Sequence, residues 1–264
     1  FFNHCFKMMR FISLSNISRH DQSSLIAHSY YSWFWQTESY QSFLKQIHCD
    51  RLFENHSFAI LDDIGNLLAL CPVSADFTDK EDCYFGLAHE PIPFPCISVN
   101  LSARQRKKTI SAYFDYLTKL ASKQNIDYLY IRVPQLADFP SYFNFARENP
   151  LLGYNIFIKP LHTQVLDLNL PLNTLWQSLS KGHRADVKRS QANVKVKIWD
   201  HSNINSKVFE SYIKLHRKDS GQSTRSLHAY NAVKSWIESR SALLGQASIN
   251  DEDACENFNL TYVF

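Results

Sequence analysis

The chain has 264 residues, 45% hydrophobic and 14% aromatic, with 28 Lys and Arg against 25 Asp and Glu for a net charge of +3. That composition excludes a disordered chain and supplies a core for one large domain or two smaller ones. The near balance of charge argues against a general nucleic-acid binder, which carries a basic excess over a whole face. The 6 glycines form neither GxxxxGKS/T nor GxGxxG, and the 6 cysteines lie singly with no CxxC pair, so neither a phosphate loop nor a zinc site is expected. Wide cysteine spacing fits reduced thiols better than a disulfide framework. No run reaches the roughly 18 apolar residues of a membrane span, and residues 1–14 lack a signal-peptide pattern. The expected location is the cytoplasm.

The aromatic-rich stretch 21–50 reads as two helices, with a turn at 35–39 and Thr37 as N-cap of the second. Its aromatic cluster is read as core. Residues 57–61 and 67–73 read as an antiparallel hairpin around the Asp62-Asp63-Ile64-Gly65-Asn66 turn, with Pro72 at an edge or bulge. A short strand follows at 83–87. The alternating prolines of 91–96 predict an irregular, extended segment, either a groove wall or a plain loop. Residues 102–124 predict an amphipathic helix capped by Ser102, with Ile110, Tyr113, Phe114, Leu117, Leu120 and Ala121 as its apolar stripe. Arg104, Arg106, Lys107 and Lys108 crowd its first turns, against the helix dipole. Strands are expected at 127–133, 153–159 and 162–168.

One long helix is expected from Pro171 to Gln191, with Leu172, Leu175, Trp176, Leu179 and Val187 on one face. Lys181, Arg184 and Lys188 stack at i, i+3 and i+7 on another. A strand at 194–199 follows. Between 181 and 197 the cations are Lys181, Arg184, Lys188, Arg189, Lys195 and Lys197, opposed only by Asp186. So concentrated a field on a balanced chain points to an anion site; the alternative is a solvated basic face. Helices at 206–218 and 228–241 and strands at 243–249 and 257–264 complete the order, the last two around an acidic turn at 251–253. The strand-like run at the end closes with no turn or cap, so the second of two α+β units is expected to be incomplete.

The run Leu175-Trp176-x-x-Leu179-x-Lys181-x-x-Arg184-x-x-Val187-Lys188-Arg189, leading into 194–199, resembles the start of the second GNAT-like domain of FemAB-type proteins and the related BioF2-like acetyltransferase domain. The stretch 209–218 followed by Tyr230 resembles the family's next helix and its aromatic, and the 58–73 hairpin with the 102–133 helix and strand resembles the first domain. The resemblance implies an α+β fold of tandem GNAT-like (acyl-CoA N-acyltransferase-like) domains. Residues 1–32 would be an N-terminal segment, 33–170 the first domain and 171–264 the incomplete second.

The function so implied is transfer of an activated acyl or aminoacyl group onto an amine, in cell-envelope or polysaccharide metabolism. The donor would be acyl-CoA or aminoacyl-tRNA, with no covalently bound cofactor and no metal, and the other partner a small-molecule or precursor substrate bearing phosphate. On matching positions the resemblance makes Lys181, Arg184, Lys188 and Arg189 the substrate-binding residues, arginine suiting phosphate because its planar donors bind bidentately. The GNAT pyrophosphate motif is absent from the sequence, which leaves the donor site unassigned. No catalytic base is assigned: Asp186 reads as the i, i+3 partner of Arg189, His183 as a surface residue beside two cations, and His216 and Tyr230 as packing or surface residues. Two alternatives stand beside the enzyme. One is a non-catalytic GNAT-like module gripping RNA or a phosphorylated ligand through 181–197; the other is a structural domain whose basic stripe keeps the helix in water.

Overall fold

A computed structural model describes residues 9–29, 32–78, 83–88, 90–133, 157, 159, 167–221 and 225–249, and the backbone of 256–262. The chain divides into two compact units, Phe1–His162 and Thr163–Phe264. Among the described residues both mix helices with small sheets, an α+β architecture. The strands expected at 153–159 and 162–168 and the acidic turn lie, but for a few residues, outside the described residues.

In the first unit, β1 (Arg10–Ser13), β3 (Phe58–Leu61), β4 (Leu67–Cys71) and β8 (Cys96–Ile97) form an antiparallel sheet in the order β1-β3-β4-β8. Alternation assigns its two faces. Phe58, Ile60, Ala69 and Cys71 pack with Ile110, Tyr113, Phe114 and Leu117 of α3 (Ala103–Gln124). Ala59, Leu70 and Cys96 pack with Leu25 of α1 (Arg19–Ala27). The hairpin and the long helix thus form as expected. Ser102 caps α3 with a reciprocal Gln105 capping box, and Asn125 closes it in the left-handed region at φ 53°. Thr37 caps α2 (Glu38–Ile47), its hydroxyl accepting from the Tyr40 N–H. Pro72 falls just after β4, where the ladder no longer asks it for a donor.

A second sheet runs β2-β5-β6-β9, from Phe53–Asn55, Ser74–Asp76, Tyr84–Phe85 and Tyr128–Leu129. Here two expectations are corrected. The proline segment is paired rather than irregular: β7 (Ile92–Pro93) lies parallel to β10 (Ile131–Arg132). Ile92 N–H donates to the Tyr130 carbonyl at 2.9 Å and Phe94 N–H to the Arg132 carbonyl at 2.8 Å. Prolines occupy only the alternate positions 91, 93 and 95, so every donor the ladder needs is present. The single strand expected at 127–133 is correspondingly two, β9 and β10, because Tyr130 hands the chain from one partner to the next.

In the second unit, β11 (Val194–Trp199), β12 (Ala242–Ile249) and β13 (Glu256–Tyr262) form an antiparallel sheet in that order. Its core joins Trp199 and Leu244 to Phe209 and Tyr212 of α6 (Ser206–Asp219) and to Tyr230, Val233, Trp236 and Ile237 of α7 (Leu227–Glu238), all buried. The opposite face of β11 leaves Val196 and Ile198 exposed.

The helix expected over 171–191 is two helices. α4 (Leu172–Ser178) ends and α5 (Lys181–Gln191) begins at an extended Leu179-Ser180 step, with ψ of 144° and 157°. Ser178-Leu179-Ser180-Lys181-Gly182 is weak helix sequence, and serine hydroxyls compete for backbone donors. Ser180 turns its Oγ onto the His183 N–H at 3.2 Å and so caps α5. Neither helix carries a buried residue, and Leu172 is 81% exposed, so the expected apolar face is not a core stripe.

Candidate functional site

The break between α4 and α5 decides what the basic residues do. Lys181 opens α5; Lys188 and Arg189 lie in its last turn, where cations suit the helix dipole. All three are exposed. Arg184 is half-buried: its Nη1 donates to the Gln177 carbonyl at 3.0 Å and also to the Leu179 carbonyl. Those are end carbonyls of α4, which lack partners within the helix. Arg184 therefore serves as a clasp between the two helices. Arg189 Nη1 stands 3.7 Å from Asp186 Oδ1, an exposed i, i+3 pair that contributes little.

Strand alternation puts Lys195, Lys197 and Trp199 on one face of β11. Lys197 Nζ sits 3.7 Å from the Trp199 ring centroid, and Lys188 Nζ 6.0 Å from that of Trp176. The Trp199 ring is itself fixed by Nε1 donating to Gln246 Oε1 at 2.8 Å. The helix and strand thus display five exposed cations, at 181, 188, 189, 195 and 197. An open surface of this kind attracts anions with a force that salt screens over about 8 Å at physiological ionic strength.

His216 and Tyr230, read from sequence as packing or surface residues, form a pair. The Tyr230 hydroxyl lies 3.0 Å from His216 Nδ1, and Tyr230 is fully buried. Alongside, Arg225 Nη1 donates to the Tyr212 hydroxyl at 3.2 Å. Burial, then the Arg225 charge, lowers the pKa of His216 and favours a neutral imidazole. The i, i+4 spacing of Tyr212 and His216 on a helix was the available signal; Arg225 had none.

The first unit holds a second polar centre that sequence reasoning missed. Asp76 is fully buried, and its Oδ2 accepts from Arg51 Nε at 2.7 Å, the Tyr84 hydroxyl at 3.1 Å and the Ala88 N–H at 2.9 Å. Its Oδ1 accepts from the Thr78 N–H at 3.0 Å. Burial pushes the carboxyl up, but the Arg51, Ala88 and Thr78 donors together hold it well below the usual carboxylate range. With its oxygens so engaged, Asp76 pins a loop rather than serving as a base. The thiols of Cys71 and Cys96 are buried; burial raises Cys71 strongly and pushes Cys96 up to about 12 against an opposing Ser29 hydrogen bond. Raised thiols are the reverse of activated nucleophiles.

Among the described residues no three His, Cys, Asp or Glu side chains cluster as metal ligands, and no helix is long and apolar enough to cross a membrane. No family model matches the chain, and no curated protein matches it closely enough to count as a relative.

Proposed function

We propose that the chain is an acyl- or aminoacyl-transferase of the FemAB/GNAT-like kind, acting in the cytoplasm on an amine of a small-molecule or precursor substrate. In this reading the basic face of the second unit holds the phosphate-bearing donor, acyl-CoA or aminoacyl-tRNA. The observation that carries it is the row of exposed cations on α5 and β11, opposed along the chain only by Asp186. Binding of donor phosphates would fix the acyl carbonyl for attack by the amine, the positioning that such transfers chiefly need.

A second reading is favoured by the openness of the same face and by the half-buried Trp176 beside Lys188. Cations beside aromatic rings on an open surface also suit a non-catalytic module that grips RNA. One experiment separates the two. Binding of coenzyme A and of tRNA is measured across a salt series, with thiol release from acetyl-CoA followed in the presence of candidate amines. The triple variant Lys181→Ala, Lys188→Ala, Arg189→Ala leaves Arg184 in place to clasp the helices. It is expected to weaken binding about tenfold or more and to flatten the salt dependence, since each lost phosphate contact removes roughly one unit of slope. Turnover lost together with binding supports the transferase. Steep salt dependence without turnover supports the module, and unchanged binding in the variant sinks both.

A further inference from the structure

From 167 to 193 no residue is buried. The chain turns at 167–170, where the Leu170 N–H donates to the Asp167 carbonyl at 3.2 Å and the Asn169 N–H to Asp167 Oδ1 at 3.0 Å, and then enters α4 and α5. The turn satisfies these donors internally and leaves its leucines outside. Leu168 and Leu172 are each 81% exposed, and Leu170 is 43% exposed. Alternate residues lie at most about 7 Å apart along a chain, so the three are near neighbours. A lone exposed leucine is ordinary on a protein surface, but a group of them marks a contact surface.

Cations accompany this apolar group. The Arg184 clasp holds α5 to the end of α4, and Lys188 Nζ lies 6.0 Å from the ring centroid of the half-buried Trp176. Lys181, Lys188 and Arg189 are exposed. From 167 to 191 the only carboxylates are Asp167 and Asp186, and Asp186 stands 3.7 Å from Arg189. The two features together narrow the partner. Nucleic acid would neutralise the cations and leave three leucines in water. A neutral apolar partner would cover the leucines and find no use for the charge. An anionic bilayer meets both: leucines enter the acyl boundary, a tryptophan suits the head-group level, and lysine and arginine meet the lipid phosphates. A bilayer also accepts side chains that project singly, for which a protein partner would need a shaped pocket.

We propose that the 167–191 segment docks the protein on an anionic lipid surface. Leu168, Leu170 and Leu172 enter the acyl boundary, while Lys181, Lys188 and Arg189 meet the head groups. The segment lies on the bilayer and does not cross it. The proposal goes beyond the transfer reading and does not rest on it, because neither coenzyme A nor tRNA has a use for the leucines.

The test is co-sedimentation of the full chain with phosphatidylcholine vesicles, pure or with about one-third phosphatidylserine. Binding to the anionic vesicles is expected to be about tenfold or more tighter than to the neutral ones. The triple variant Leu168→Gln, Leu170→Gln, Leu172→Gln changes only exposed side chains, so it keeps its fold. It should lose about tenfold or more of the vesicle affinity while its binding of coenzyme A and tRNA stays as in the parent chain. That split tells this proposal from the donor-binding one, since the leucine variant moves the first and not the second. No binding to anionic vesicles, equal binding to neutral ones, or full binding by the leucine variant would overturn the proposal.

Discussion

At Asp76 a single carboxylate gathers four donors, because Arg51, Thr78, Tyr84 and Ala88 all donate to it. Removing it strands buried donors, so Asp76→Ala is expected to cost about 3–5 kcal/mol, read by chemical denaturation. Its folded pKa lies below the unfolded value of 3.8. The stability it contributes is therefore complete above that value and is lost as the pH falls below it, a dependence the alanine variant should lack. His216 has the same sign in a different window. Its folded pKa is below 6.5, so the unfolded chain takes up the proton first. Stability is expected to fall as the pH drops below about 6.5, and His216→Gln should abolish that part of the profile. The Asp76 centre was not visible in sequence, since 25 residues separate Arg51 from Asp76 and only the folded chain brings them together.

At the scale of elements, local chemistry was legible wherever a cap or an alternation declared itself. The Thr37 and Ser102 caps, the hairpin about Gly65 and the stripe of α3 form as the residues suggest. The reading failed at 171–191 because spacing was weighed above composition: the i, i+3, i+7 cations fit one helix, but the serines and glycine at 178–182 divide it. Ser180→Ala should test that division. Loss of the cap is expected to cost about 1 kcal/mol and to speed amide exchange at His183. Arg184 shows the limit of inference from a motif. It matched a position expected to hold phosphate, and the fold commits its Nη1 to the carbonyls at the end of a neighbouring helix.

At the scale of the whole chain, the two units carry unequal cores. The first joins both faces of a sheet to helices, whereas in the second the Val196 and Ile198 face of β11 remains exposed. Amide protection should follow that difference, with β11 and β12 exchanging faster than β3 and β4 in hydrogen-exchange mass spectrometry; equal protection would contradict it. The proline-bearing strand of the first unit adds a consequence of another kind. Ile92 and Phe94 spend their donors on β10, while Pro91, Pro93 and Pro95 leave the other margin with carbonyls alone. A strand from a stray copy of the chain would find nothing there to donate to it. The sequence that builds this ladder also withholds donors from any further strand, and with Pro93 and Pro95 themselves buried the margin offers no template for runaway self-association.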